Sequence, residues 1–172
     1  HTHVIKAGMT ITELALLRLK AGVSLDDASF VTNLRKAKNT MENYNSRHFL
    51  YFVQVEDPTL IYVFGEWESL EEHFDIWIPS AANQALLSLL QDQLSIEWLV
   101  HIDLEQKLLP LNSPIISIGR HFIADGQKEA FMATFETKKQ YLLDYVTCKP
   151  DPAGGWRLDP EERGREEWVL VS

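Results

Sequence analysis

Histidine is the side chain best suited by type to move protons near neutral pH, because imidazole titrates at about pH 6.5. His101 lies in Trp98-Leu99-Val100-His101-Ile102. Period-two alternation sets it on the face of Leu99, opposite Trp98, Val100 and Ile102. If helices cover the face of Trp98, His101 enters a cavity and is the first candidate base; the alternative is a buried structural imidazole. His73 is the second candidate, with a surface or core role as its alternative. It sits in the second turn of a helix expected to start at Ser69. His121, preceded by Arg120, belongs to an apolar strand. Only one of these two neighbours can enter a cavity, which makes His121 a candidate for substrate binding. His48 opens a strand near an edge.

Other chemistries have weaker signatures. No H-x-x-x-H pair is present, and His48, His73 and His101 are too far apart for a local ligand motif, so no metal site is expected. A haem would need a single cavity histidine, and that route stays open. No G-x-S-x-G elbow occurs. Cys148 follows a helix end, where the dipole does not favour a thiolate. Gly154-Gly155 reads as a turn and not as a phosphate-binding loop.

The elements that must position these residues come in two similar sets. Phe30, Leu34, Ala37, Met41 and Tyr44 form one face of a helix, with Ser24 as expected N-cap and Asp27 facing the dipole. A shift of 101 residues gives Phe131, Phe135, Lys138, Leu142 and Tyr145, with Asp125 at the cap. The recurrence points to an internal duplication; two unrelated amphipathic helices are the alternative. Strand-like runs precede the helices, at Thr10–Leu19 and Ile115–Ile123. Strand pairs follow them, at His48–Val55 with Leu60–Trp67, and at Gly155–Leu158 with Glu167–Ser172. The second pair is joined by a charged turn from Asp159 to Arg165. Ser69-Leu70-Glu71-Glu72 is a capping box. Pro79 interrupts its helix, Ser80 caps another bearing Leu86, Leu87, Leu90 and Leu94, and a strand runs from Ile96 to Leu104. The order is β-α-β-β-α-β, the ferredoxin-like split unit. The second copy stops after its third strand, about 40 residues short of the first.

The chain has 172 residues, 45% of them apolar and 24% charged, as in ordinary globular proteins. Sixteen basic residues face 25 acidic ones, for a net charge of −9. Between Arg47 and Lys107 there is no Lys or Arg, but there are eleven acidic residues from Glu56 to Glu105. Such a surface repels phosphate backbones and anionic lipid, so neither a nucleic acid nor a membrane is an expected partner. No apolar run reaches the roughly 18 residues that span a bilayer. His1-Thr2-His3 carries no signal-peptide h-region and no initiator Met, which reads as a processed end or a remnant. A single cysteine excludes an internal disulfide and makes a reducing, cytoplasmic location the expectation.

The stretch Tyr62-Val63-Phe64-Gly65-Glu66-Trp67-Glu68-Ser69-Leu70-Glu71-Glu72-His73 resembles the dimeric α+β barrel superfamily, of the antibiotic-biosynthesis monooxygenase (ABM) and stress-responsive barrel type. Gly154-Gly155-Trp156-Arg157-Leu158-Asp159 and Glu166–Ser172 are similar to tandem fungal members. The resemblance implies an α+β fold of tandem ferredoxin-like units, their antiparallel sheets facing each other as a barrel. The expected division is a first repeat at 10–105, a linker at 106–114, and a truncated second repeat at 115–172. It implies a cavity for an aromatic or polyketide-like small molecule, with cofactor-free oxygenation as one activity and a non-catalytic binding or stress-associated role as the alternative. On this likeness Trp67 lines the cavity or packs the sheet against its helix, His73 matches the superfamily's helix histidine, and no cofactor is expected. Cyclases of the group use a Tyr and a His in the stretch that here runs Asp75–Asn83, where neither occurs. Asn83 can bond a carbonyl there but cannot act as a base. The incomplete second copy leaves a place for a partner chain, a homodimer being one form of it.

Overall fold

The computed structural model describes residues 8–161 and 164–172. The His1-Thr2-His3 reading and part of the turn from Asp159 to Arg165 lie outside the described residues. The chain divides into two units, Gly8–Leu99 and Val100–Ser172. Among the described residues no helix is long and apolar enough to cross a membrane.

In the first unit, β1 (Ile11–Leu19), α1 (Ala28–Asn45), β2 (Leu50–Val53), β3 (Leu60–Trp67), α2 (Ala81–Leu90) and β4 (Leu94–Ile102) follow in order, β4 crossing the division. Their sheet has the order β2-β3-β1-β4. β1 and β3 pair antiparallel from Ile11↔Trp67 to Arg18↔Leu60. β1 is buried on both faces, which is why its sequence reads as a near-continuous apolar run. Phe30, Leu34 and Ala37 bury the α1 stripe against this sheet. The helix starts later than its Ser24 cap predicts. Asp27 is the N-cap and accepts from the Ser29 N–H at 3.0 Å, whereas Ser24 Oγ accepts from Asp26 N and closes a turn before it. Ser46, in the left-handed region at φ 58°, ends α1 by donating its N–H to the Glu42 carbonyl.

Gly65 is needed for a close approach. A Cβ there would clash with the Phe49 ring, so the ring can lie over the strand only because residue 65 has no side chain. Phe49 then meets Trp67 edge to face at 5.6 Å.

After β3 the Ser69 half of the capping box forms as its residues predict, and the Glu72 half falls one residue before the cap. Ser69 Oγ accepts from Glu72 N at 3.2 Å, and a Glu72 carboxylate oxygen accepts from Glu68 N at 2.6 Å. The turn that follows is a π-helix over Glu72–Trp77, closed by the Ile78 N–H on the His73 carbonyl at 2.9 Å. Period counting does not foresee this wider turn. It ends at Pro79, and Ser80 caps α2 by accepting from Asn83 N.

The second unit holds β5 (Ile118–Ile123), α3 (Lys128–Tyr145), β6 (Ala153–Trp156) and β7 (Glu166–Val171) in a sheet of order β5-β7-β6. That matches the β1-β3-β2 portion of the first sheet. α3, like α1, has 18 residues, but none is buried, and its N-cap is Gln127 rather than Asp125. β5 begins at Ile118, leaving Ile115 exposed. Residues 106–114 pack instead of trailing free: a short 3₁₀ turn spans Gln106–Leu108, and Leu109 and Leu111 are buried. The fold is therefore mixed α+β with two antiparallel sheets.

Gly65→Ala is expected to destabilise the chain by about 1–3 kcal/mol through overpacking against Phe49. Denaturant unfolding of the variant beside the wild type measures it; an unchanged midpoint would contradict the contact.

Candidate functional site: a buried carboxylate in an apolar cavity

Alternation on β1 turns Glu13, Ala15 and Leu17 to one face, and that face looks onto α1 and α2. Between this sheet face and the helices lies a cavity of about 670 Å³. Ala15, Leu17, Leu34, Met41, Val63 and Leu86 make much of its wall, and Glu13, Tyr51, His73 and Asn83 bring polar groups to it. Leu99 also lines it. The cavity is thus on the helix side of the sheet.

Glu13 is 7% exposed and His73 is 3% exposed. A Glu13 carboxylate oxygen, Oε2, accepts from the Trp67 indole N–H and lies 3.6 Å from His73 Nε2. The imidazole stacks on the Trp67 ring with centroids 4.4 Å apart and planes 18° from parallel. Trp77 and Tyr44 close the other side, 4.8 Å from each other and tilted against Trp67. The π-helical turn sets this up, because it carries both His73 and Trp77 inward and leaves Phe74 and Ile76 exposed. Indole and imidazole confront a carboxylate in an apolar enclosure, where hydrogen bonding to charge is strong. Glu13 and His73 are also the donor types that a divalent metal accepts.

Two further polar groups are committed to the backbone. The Tyr51 hydroxyl donates to the Leu34 carbonyl at 3.1 Å. Burial, then the charges of Glu13 and Glu42, push its pKa far above the usual phenol range, so it remains a protonated donor. Asn83 Nδ2 donates to the Ile78 carbonyl at 2.9 Å.

Of the residues singled out in the sequence, His73 and Asn83 line this cavity, and Trp67 supports His73 from behind. His101 and His121 belong to the second unit. His101 is fully buried there; its backbone N–H and its Nδ1 both meet Asp159, each at 2.9 Å. Arg157 joins Asp159 at 3.3 Å and Glu167 at 3.1 Å, and Arg120 caps Glu167 on its other oxygen. Burial works to raise the Asp159 carboxyl, but hydrogen bonds from His101 and the charge of Arg157 outweigh it and hold it below the usual carboxylate range. His121 is exposed, opposite Trp168 on β7 and 5.9 Å from the Phe131 ring. His48 lies largely in solvent beside Glu42. Glu13 was not foreseen. Its signal is a lone acid at an alternating position inside a largely apolar strand.

No family model matches the sequence, and no curated protein matches it. Solved structures do. A provisionally named monooxygenase from Fusobacterium nucleatum matches 94% of this chain and 75% of its own, at TM-score 0.57 and 10% identity. A provisionally named chlorite dismutase matches over 94% of this chain and 78% of its own, at TM-score 0.51 and 9% identity. A provisionally named antibiotic biosynthesis monooxygenase from Bordetella bronchiseptica aligns with 51% of this chain and 92% of its own, at TM-score 0.43 and 18% identity. The chain shares the α+β fold of the Fusobacterium nucleatum protein.

Two measurements check the geometry. Trp67→Phe removes the indole donor from Glu13 and should cost about 1–3 kcal/mol. In a double-mutant cycle with Glu13→Leu, which removes the acceptor, additive losses would show that the two side chains do not interact. For Asp159, a depressed folded pKa gives stability that is present above its unfolded value of about 3.9 and is lost as pH falls through the folded value. Asp159→Asn should therefore be less stable than the wild type near neutrality and lose less on acidification below about pH 4. Parallel acid-unfolding curves would contradict it.

Proposed function

We propose that the first unit is an ABM-like small-molecule module that takes an aromatic or polyketide-like metabolite into its cavity and acts on it as a cofactor-independent monooxygenase. The observation that carries this is an apolar cavity of about 670 Å³ with Glu13 and His73 on its wall and Trp67 packed behind them. That volume falls in the range of small-molecule sites, about 300–1,000 Å³. In this reading His73, steadied by Glu13 and by stacking on Trp67, takes a proton from an acidic enol or phenol of the substrate, and dioxygen is the co-substrate. Asn83 and Trp77 shape the binding wall. The reading gives His101 and His121 no step in that cavity.

A second reading, a non-catalytic ligand-binding protein, is favoured by the commitment of Tyr51 and Asn83 to backbone carbonyls, which leaves few polar groups for chemistry. The same proposal takes the two units as copies of one β-α-β-β module, supported by their shared strand order, and takes the cytoplasm as the compartment and secondary metabolism as the setting.

Thermal-shift screening with phenolic and polyketide-like compounds, followed by oxygen-uptake assays on those that bind, tests the proposal. A stabilising ligand with oxygen uptake is expected, and His73→Gln should lower turnover by about 10²–10⁴-fold while binding persists. Binding without oxygen uptake would leave the second reading; no binding from either set would overturn both.

A further inference from the structure

The charge of the cavity wall is one-sided. Among the described lining residues Glu13 is the only acid, and no Lys or Arg is present. Its carboxylate is buried and has the Trp67 indole as a donor, with His73 Nε2 at 3.6 Å. Three of the neutral donors on the wall are committed to backbone: Tyr51 Oη to the Leu34 carbonyl, and Asn83 Nδ2 and Gln84 Nε2 to the Ile78 carbonyl, while Ser88, Gln91 and Ser95 bring neutral groups and no positive charge. An ionised carboxylate can accept more hydrogen bonds than these contacts supply, so a ligand donor adds to the set. A ligand carboxylate or phosphate would meet a like charge in a poorly screened enclosure, with no cation on the wall to offset it.

We propose that Glu13 is the residue that sets the charge of the ligand: the cavity accepts neutral aromatic compounds that offer a hydrogen-bond donor and rejects their carboxylate or phosphate counterparts. This rests on the reading of the cavity as a small-molecule site, and it adds the electrostatic class of the ligand to that reading. The discrimination is carried by repulsion as much as by attraction, which is how a small site rejects a molecule of the right shape.

The test uses two probes of nearly equal shape, 2-naphthamide and 2-naphthoate, titrated by calorimetry into the whole chain at about pH 7, where only the second is charged. The wild type should bind the amide at least about tenfold more tightly than the carboxylate. In E13Q, where the side-chain amide oxygen can still accept from Trp67, the two affinities should converge to within about threefold. Equal affinities in the wild type would overturn the inference and leave the cavity reading standing. Discrimination that persists undiminished in E13Q would remove the assignment to Glu13. Binding of neither probe would count against the cavity reading itself, and the inference would fall with it. Should E13Q not fold, the wild-type comparison still holds the overturning result.

Discussion

A carboxylate buried on β1 constrains the first unit more than any other group. Glu13 sits inside a strand whose other residues are almost all apolar, and an unpaired charge there would cost several kcal/mol, of the order of ~3–5. The strand register prevents that. Glu13 lies opposite Gly65 and Ile11 lies opposite Trp67, so the indole reaches the carboxylate diagonally across the β1–β3 pair. Long aromatic side chains bridge such diagonals readily. Gly65 contributes by its smallness, since the bare backbone admits the Phe49 ring that braces Trp67. A slip of one residue would send Glu13 to the other face and break each of these relations together.

The π-helical turn completes the arrangement from the other side of the cavity. In an ordinary α-helix the side chains of a short capped segment follow one stripe. Residues four apart share a face in an α-helix too, and in this wider turn His73 and Trp77 keep that relation and both point inward. Such turns are frequent at functional sites. The capping box fixes the start through Ser69 and Glu72, and Pro79, with no N–H to donate, sets the end.

The second unit handles its buried charges differently. His101, Asp159, Arg157, Glu167 and Arg120 form one chain of contacts in which each charged group meets a partner. In the first unit the buried acid has a neutral indole as its donor, an imidazole beside it, and a place on the cavity wall. A saturated network fixes geometry, whereas an acid bordering a cavity has acceptor capacity left for a ligand. That difference is the physical ground on which the proposed chemistry is assigned to the first unit.

The sequence by itself determined the elements of both units. Its periodicities marked β1, α1 and β3 closely, because an apolar run buried on both faces and a 3.6-residue stripe leave plain patterns. Its local chemistry marked the starts at Ser69 and Ser80, because a cap is satisfied within a few residues. It named His73, Trp67 and Asn83, each within or beside a recognisable local signal. What required the tertiary structure was non-local. The pairing of Glu13 with Trp67, 54 residues apart, depends on a strand register that alternation alone does not fix. The side of the sheet bearing the cavity depends on where α1 and α2 lie, because alternation says which residues share a face and not what that face meets. The commitment of His101 to Asp159, 58 residues away, is of the same kind. Short-range bonds are written in neighbouring residues; a buried charge finds its partner only when distant strands are brought together.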